Sequence, residues 1–95
     1  MRIYQSKSFE RKVKRFPRKE KLILDKEIKK IMENPVIGDE KKGDLKGIFV
    51  YKFKIKAAQY LLSYRLRGDD LELIMIGPHE NYYRDLKTYL QSMQP

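Results

Sequence analysis

Hydrophobic side chains recur at helical spacing over the first third of the chain. The apolar positions of the first repeat are Phe9, Val13 and Phe16, and those of the second are Leu24, Ile28 and Ile31. Separations of three and four residues place such side chains on one face of a helix. Ser6 or Ser8 can cap the first helix, and Asn34-Pro35 stops the second, which we expect to span about 18–33. This part of the sequence therefore predicts two consecutive amphipathic helices.

The hydrophobic period falls to two in the second half of the chain. Ile48–Lys56 alternates apolar side chains with lysines, a pattern typical of a strand with one buried face. Gly68-Asp69-Asp70 predicts a tight turn, and Gly77-Pro78 is expected to end the last strand. The elements expected from these patterns are strands over 2–5, 48–56, 60–67 and 71–76, a loop over 36–47 and a final helix over 80–90.

The predicted order of elements is β-α-α-β-β-β-α, which indicates an α+β fold. We expect helices packed on one face of a small, mainly antiparallel sheet. In the last strand, Leu71, Leu73 and Met75 should share one face, with Glu72 and Ile74 on the other. A chain of 95 residues can build one core, so a single domain over 1–95 is expected.

The charge of the chain narrows the possible partners. Lys and Arg number 22 against 13 Asp and Glu, a net charge of +9. Such a surplus attracts nucleic acid, although a solvated surface or an acidic partner protein would also account for it. The absence of cysteine and the single His exclude thiolate and His-rich metal sites. Without a signal peptide or a membrane-length apolar run, we expect a cytoplasmic protein whose chemistry uses no metal or cofactor.

Lys52, Lys54 and Lys56 form a row of like charges on one predicted strand face. Alternate side chains on a strand are about 7 Å apart, so these ammonium groups repel one another unless an anion lies among them. A phosphodiester backbone is such an anion, and Arg65 and Arg67 of the next strand could add phosphate contacts. The alternative is an ordinary solvated strand, on which lysine prevents edge-to-edge pairing.

His79 is the only His and follows Gly77-Pro78 at the end of a predicted strand. Imidazole gives or takes a proton near neutral pH, as cleavage of RNA requires. A His that caps the next helix or bonds to a carbonyl is the alternative. Tyr82 and Tyr83 follow within one turn and point about 100° apart. We assign Tyr83 to the site, where its ring could stack on an RNA base, and Tyr82 to packing.

Five segments distributed along the chain form a pattern that goes beyond secondary structure. They are Asn34-Pro35, Gly43-Asp44-Leu45-Lys46-Gly47, Val50-Tyr51-Lys52-Phe53-Lys54, Tyr60-Leu61-Leu62-Ser63-Tyr64 and Gly77-Pro78-His79-Glu80-Asn81-Tyr82-Tyr83-Arg84-Asp85-Leu86. Together they resemble the RelE/ParE toxin superfamily over essentially the whole chain. The last segment is the most specific and resembles RelE-type and YafQ-type endoribonucleases. The resemblance implies a toxin of a type II toxin–antitoxin system that cleaves translated mRNA on the ribosome and is inhibited by a cognate antitoxin.

The resemblance also implies roles for particular residues. His79 matches the catalytic His of YafQ-like toxins and Tyr83 the aromatic ring one turn later, while Lys52 and Lys54 match lysines around the scissile phosphate. Arg84 falls near a functional Arg of RelE. We therefore expect His79 as general acid and Lys52 or Lys54 as general base. Arg65 and Arg84 are expected to stabilise the phosphorane, and Lys46, Lys56 and Arg67 to contact RNA.

The chain departs from these relatives at two points. Leu61 stands where RelE has an Arg, and the additional His residues and the Asp of YafQ-like enzymes have no counterpart. ParE members share the fold yet inhibit DNA gyrase without cutting RNA, so fold alone does not decide function. A ParE-like gyrase inhibitor and an inactive relic that binds RNA or antitoxin therefore stay open. The basic run from Arg11 to Lys21 fits a solvated helix face, a ribosomal RNA contact or an acidic antitoxin segment.

Overall fold

Five strands form one mixed sheet at the centre of the fold. A computed structural model describes residues 1–92. The strands are β1 (Ile3–Gln5), β2 (Asp39–Glu40), β3 (Phe49–Ile55), β4 (Ala58–Arg67) and β5 (Asp70–Pro78). Their order across the sheet is β1-β5-β4-β3-β2, in which β1 runs parallel to β5 and the other neighbours are antiparallel. The mainly antiparallel α+β fold expected from the sequence is confirmed.

The helices α1 (Lys7–Lys14) and α2 (Arg18–Glu33) pack on one face of the sheet. The buried side chains of this core are Phe9, Leu24, Ile31, Phe53, Ile55, Leu62, Tyr64, Leu71, Leu73 and Ile76. A hydrogen bond also links the sheet to α2, since the Tyr51 hydroxyl donates to Glu27 Oε1 at 2.7 Å. Partial burial and the Glu27 carboxylate raise the pKa of Tyr51 to about 12, so this donor keeps its proton at neutral pH.

The last helix, α3 (Tyr82–Ser92), packs on the opposite face of the sheet, which we call the α3 face. The expectation of helices on one face thus holds for α1 and α2, and α3 is placed differently. The α3 face of the sheet carries the apolar side chains of Val50, Leu61 and Ile74, and α3 removes them from water by packing on them. Within residues 1–92, none of the helices combines the length and apolar character needed to cross a bilayer.

The strands begin or end one or two residues from their predicted bounds, and two of these differences lie next to candidate site residues. β3 ends at Ile55, which pairs with Ala58, so Lys56 lies in the connecting turn with a φ of +57° and not in the strand. β5 does not stop before Gly77-Pro78 but continues through both. Proline is tolerated there because β1 pairs with β5 only over Leu71–Leu73, which leaves Pro78 at a free edge of the sheet. The expected loop over 36–47 also contains the short strand β2 and a 3₁₀ turn at Gly43–Leu45, both too short to show a hydrophobic period.

A β-bulge shifts the alternation of β5. Ser63 pairs with Met75 and Tyr64 with Leu73, which leaves Ile74 as an extra residue between them. Met75 consequently packs beside Ile74 on the α3 face, and its predicted place on the same side as Leu73 is wrong. Sequence alternation alone cannot reveal an inserted residue, because the period resumes on either side of it.

Ser6 joins this bulge to α1. Its Oγ accepts a hydrogen bond from Phe9 N at 3.0 Å and donates one to Ile74 O, so the side chain caps the helix and satisfies the bulged carbonyl. We expect Ser6→Ala to lower the free energy of unfolding by about 1–2 kcal/mol, since both bonds are lost. Urea denaturation of Ser6→Ala and of Ser8→Ala, the neighbouring serine that does not cap, measures the difference. Equal losses in the two variants would contradict this role.

Candidate functional site

The register of the three long strands brings the predicted lysines towards His79. Lys52 pairs with Leu61, which pairs in turn with Gly77, so these residues share the α3 face. Neighbouring strands are about 4.8 Å apart, which puts the Cα atoms of Lys52 and Gly77 roughly 10 Å apart. Lys54 lies one row further along β3, towards the end of the sheet where the chain leaves β5 at His79. The row of lysines and the lone His therefore occupy one end of one face.

His79 lies in the bend between β5 and α3 and is exposed. Its carbonyl accepts a hydrogen bond from Tyr82 N at 3.3 Å, while Asn81, with a φ of +59°, turns the chain into α3. The imidazole contacts the Tyr83 ring edge to face, with centroids 6.5 Å apart and planes at 85°. This geometry leaves the ring nitrogens available to a substrate, in contrast to the alternative of a buried, capping His.

The two adjacent tyrosines at the start of α3, Tyr82 and Tyr83, differ in burial, and the packing role predicted for Tyr82 is confirmed. Tyr82 is buried against the sheet, and its hydroxyl bonds to Met75 O at 2.7 Å and to Ser63 Oγ at 2.9 Å. Burial raises the pKa of Tyr82, so this hydroxyl stays protonated as a structural group. Tyr83 is only half-buried and lies between Tyr82 and His79, with the Tyr82 and Tyr83 centroids 5.9 Å apart. The packed Tyr82 thus holds the Tyr83 ring beside the imidazole.

Lys41 is a member of this cluster that the sequence pattern did not indicate. Its Nζ lies 5.2 Å from the centroid of the Tyr83 ring, a cation–π contact. Lys41 N donates to Ile48 O at 2.8 Å, which fixes the backbone from which this side chain extends. Lys41 follows the two-residue strand β2, and so short an element shows no periodic signal that could have placed it. The candidate site therefore combines a His, an aromatic ring and at least three cations.

Arg65 and Arg67 are not brought into this cluster. Arg65 is four residues along β4 from Leu61, roughly 13 Å, at the end of the sheet away from His79. Both arginines bond to Glu72, with nitrogen–oxygen distances of 2.8 Å for Arg65 and 3.3 Å for Arg67. One carboxylate therefore holds both guanidinium groups at this end of the sheet, a contact that the sequence pattern could not indicate because Glu72 lies on another strand.

The remaining predicted residues lie at the margin of the site. Arg84 has an exposed side chain paired with Asp85 at 3.5 Å, on a side of α3 turned away from the buried Tyr82. Lys46 is exposed after the 3₁₀ turn, which an ion pair between Lys87 and Asp44 at 3.9 Å ties to α3. Lys56 lies in the β3–β4 turn, at the same end of the sheet as Lys54.

Comparison with known proteins identifies the family. Residues 3–87 match the model of the ParE-like toxin family, described as the ParE-like toxin of type II bacterial toxin–antitoxin systems. The chain belongs to this family. It is thereby a toxin of a type II toxin–antitoxin system within the RelE/ParE superfamily, as the sequence resemblance implied. A search of curated protein sequences finds no match.

Solved structures of this superfamily share the fold. A mutant of E. coli toxin RelE in the free state has a TM-score of 0.70 at 14% identity, covering 98% of this chain and 97% of that one. The intact E. coli RelBE toxin–antitoxin complex gives 0.67 at 17% identity over 83% of this chain and 96% of that chain. The YoeB/ParE toxin from Agrobacterium tumefaciens gives 0.67 at 22% identity over 83% and 99%. At these identities the likeness concerns the fold alone.

Proposed function

We propose that this toxin is a ribosome-dependent endoribonuclease that cleaves translated mRNA. The observation that carries the proposal is the exposed His79 imidazole held against Tyr83 at the end of the face that bears Lys52 and Lys54. Cleavage of a phosphodiester by a ribose 2′-OH needs a proton donor, a base and cations that stabilise the developing charge, and a stacking ring would hold the RNA in place. A gyrase-binding surface would leave this combination without a chemical task.

In the proposed reaction, a ribose 2′-OH attacks the adjacent phosphorus. Lys52 or Lys54 in its neutral form accepts the 2′-OH proton while the new oxygen–phosphorus bond forms. His79 donates a proton to the 5′-oxygen as its bond to phosphorus breaks, which leaves a 2′,3′-cyclic phosphate and a free 5′-OH. Tyr83 stacks on a base beside the scissile bond and fixes the strand in line.

In this mechanism, lysines of the α3 face stabilise the negative charge of the phosphorane. Arg65, which the sequence suggested for this role, is held by Glu72 at the other end of β4. Lys41, packed over Tyr83, adds a cation next to the stacking ring. We therefore assign charge stabilisation to Lys41 and to whichever of Lys52 and Lys54 is not the base, with Arg84, Lys46 and Lys56 as marginal contacts to RNA.

We further propose two macromolecular partners for the chain. The first is the ribosome. Arg11 and Lys12 of α1, and Arg15 directly after it, line one groove with Ser8 and would contribute phosphate contacts. The second is a cognate antitoxin, by analogy with RelE, whose complex with an antitoxin has the same toxin fold.

Expression in growing cells should therefore stop translation and leave transcripts cut within coding regions. Intact mRNA in arrested cells would refute the nuclease.

The match to the ParE-like family favours a second candidate, inhibition of DNA gyrase without RNA cleavage. Purified toxin added in parallel to a gyrase supercoiling assay and to a translating extract separates the two functions. Loss of supercoiling with intact mRNA would favour the gyrase inhibitor. Salt-sensitive binding to ribosomes without either effect would indicate an inactive RNA-binding relic.

Two substitutions test the ring and its cation. We expect Tyr83→Leu to reduce cleavage about 10–100-fold, since stacking on one base is worth about 1–3 kcal/mol. Lys41→Met should reduce it less, because the ring keeps its support from Tyr82. Product formation from a single mRNA in a translating extract gives both rates, with Tyr89→Leu, further along α3, as a matched aromatic control. Equal rates for Tyr83→Leu and Tyr89→Leu would show that the ring next to His79 has no special role.

A further inference from the structure

Four exposed side chains form a row along α2 that is separate from its buried side chains. They are Leu22, Asp25, Lys29 and Met32, which we call the outer row. Separations of three and four residues place them on one side of the helix, where they line a shallow groove. Leu22 exposes 55% and Met32 36% of its full accessible area. Apolar side chains at both ends of such a row fit a contact with a second helix, because alternating separations of three and four form the seam of paired helices.

The outer row is complementary to a reversed copy of itself. Glu27 lies at its midpoint, with the two apolar residues five positions away and the two charged residues two positions away, one on either side. In two antiparallel copies of α2 that meet at this midpoint, Leu22 is level with Met32 of the other copy. Asp25 is likewise level with Lys29 of the other copy. A two-fold axis then repeats each contact on its other side, as the interface of a symmetric dimer requires.

The charged residues of the outer row have no partner within their own chain. Asp25 and Lys29 form no ion pair in residues 1–92. In the antiparallel arrangement each carboxylate meets an ammonium group of the other copy, which gives two opposite-charge contacts between the apolar ones. A parallel arrangement would bring Asp25 to Asp25 and Lys29 to Lys29. The charges therefore favour a second copy of this chain in one orientation and one register.

Like charges oppose this contact and limit its strength. Lys26 lines the same groove next to the midpoint of the outer row, so it approaches Lys26 of the other copy near the axis. Each chain also carries a net charge of +9, although its repulsion is largely screened beyond about 8 Å at physiological salt. Two contacts between Leu22 and Met32 are few for an interface, so we expect a weak and reversible dimer.

We propose that the outer row is the contact surface of a homodimer, in which α2 packs antiparallel on α2 of a second copy. Leu22 and Met32 are removed from water in this contact, and the pairs of Asp25 with Lys29 fix its register. The helices α2 and α3 lie on opposite faces of the sheet, so the contact leaves the His79 site of both copies open. The proposal is therefore independent of the nuclease and holds or fails whatever the chain does to RNA.

Introduced cysteines can report this contact, because the chain has none of its own. The full chain with Leu22→Cys and Met32→Cys should form a disulfide-linked dimer under mild oxidation, since these positions are level across the axis. Leu22→Cys alone should not, because the two copies of residue 22 are ten residues apart along the helix axis, roughly 15 Å. The control pair, Lys19→Cys with Lys30→Cys, has exposed positions on another side of α2 and should stay unlinked. Equal cross-linking of the control pair would overturn the proposal.

Charge reversal tests the pairing in the unlinked chain, with the dimer dissociation constant measured by sedimentation at increasing concentration. Asp25→Lys should weaken the dimer at least about tenfold, and adding Lys29→Asp should restore the dissociation constant to within about threefold of the parent value. Lys26→Gln should tighten the dimer, because it removes the like charges near the axis. These positions are exposed, so the circular dichroism of the variants should be unchanged. A monomeric parent chain without a specific cross-link would overturn the proposal and leave the outer row to a different partner. A double reversal as weak as Asp25→Lys alone would overturn it too.

Discussion

His79→Gln should lower the rate of mRNA cleavage by about 10²–10⁴-fold while leaving the fold intact. The imidazole is exposed and contacts the Tyr83 ring edge to face, so its replacement opens no cavity in the core. Glutamine keeps a polar side chain of similar size but has no proton to give to the leaving 5′-oxygen. The measurement is the rate at which a single mRNA is cut in a translating extract by equal amounts of each protein.

Glu80→Gln is the matched control, because it makes a change of similar size at the next residue, which is also exposed. The two variants should show the same circular dichroism and the same midpoint of urea denaturation. Cleavage that is unchanged in His79→Gln would move both proton transfers to Lys52 and Lys54. The site would then be retained with different roles, and the general acid proposed for it would be wrong.

Local pattern was sufficient for the elements that position this site. The repeat of Leu24, Ile28 and Ile31 predicted α2, and the stop at Asn34-Pro35 predicted its end, because both are local features of the sequence. The same reasoning separated Tyr82 from Tyr83, because adjacent helical residues cannot both face the sheet. These are inferences about one element at a time, which the order of residues determines directly.

Contacts between elements were beyond that reasoning. Whether Arg65 could join the site depended on Glu72, which the β4–β5 hairpin places opposite it. The local sequence around an arginine at a strand end is the same with or without such a partner. Lys41 entered the site through a loop whose path no periodicity describes. Lys56 lies outside the row of lysines because the β3–β4 hairpin requires a positive φ at that position. In each case a neighbour distant in sequence, or the geometry of a turn, decided the outcome.

At Leu61 the sequence resemblance and the contacts between elements lead to different expectations. The resemblance to RelE places an arginine there, whereas in this chain the side chain is 0% exposed and packs with Val50, Ile74 and Leu86 beneath α3. A leucine between Lys52 and Gly77 thus belongs to the core that anchors the helix carrying Tyr83. A packed leucine thus occupies the position of the RelE cation, and in the mechanism that we propose the lysines of the α3 face stabilise the charge of the phosphorane.

Leu61→Arg should therefore destabilise the protein strongly instead of restoring a RelE-like site. An unpaired charge beneath α3 is expected to lower the free energy of unfolding by about 3–5 kcal/mol, a large share of the roughly 5–15 kcal/mol typical of a domain. Leu61→Met, which conserves volume, should lower it by less than about 1.5 kcal/mol. Urea denaturation of the two variants gives these values, and cleavage by the fraction that stays folded gives the second readout. If Leu61→Arg were as stable as Leu61→Met and cleaved mRNA faster than the parent chain, α3 would have to lie clear of residue 61 in the active protein. The side chain at position 61 would then stabilise the charge of the phosphorane, and our assignment of that role to the lysines would be wrong.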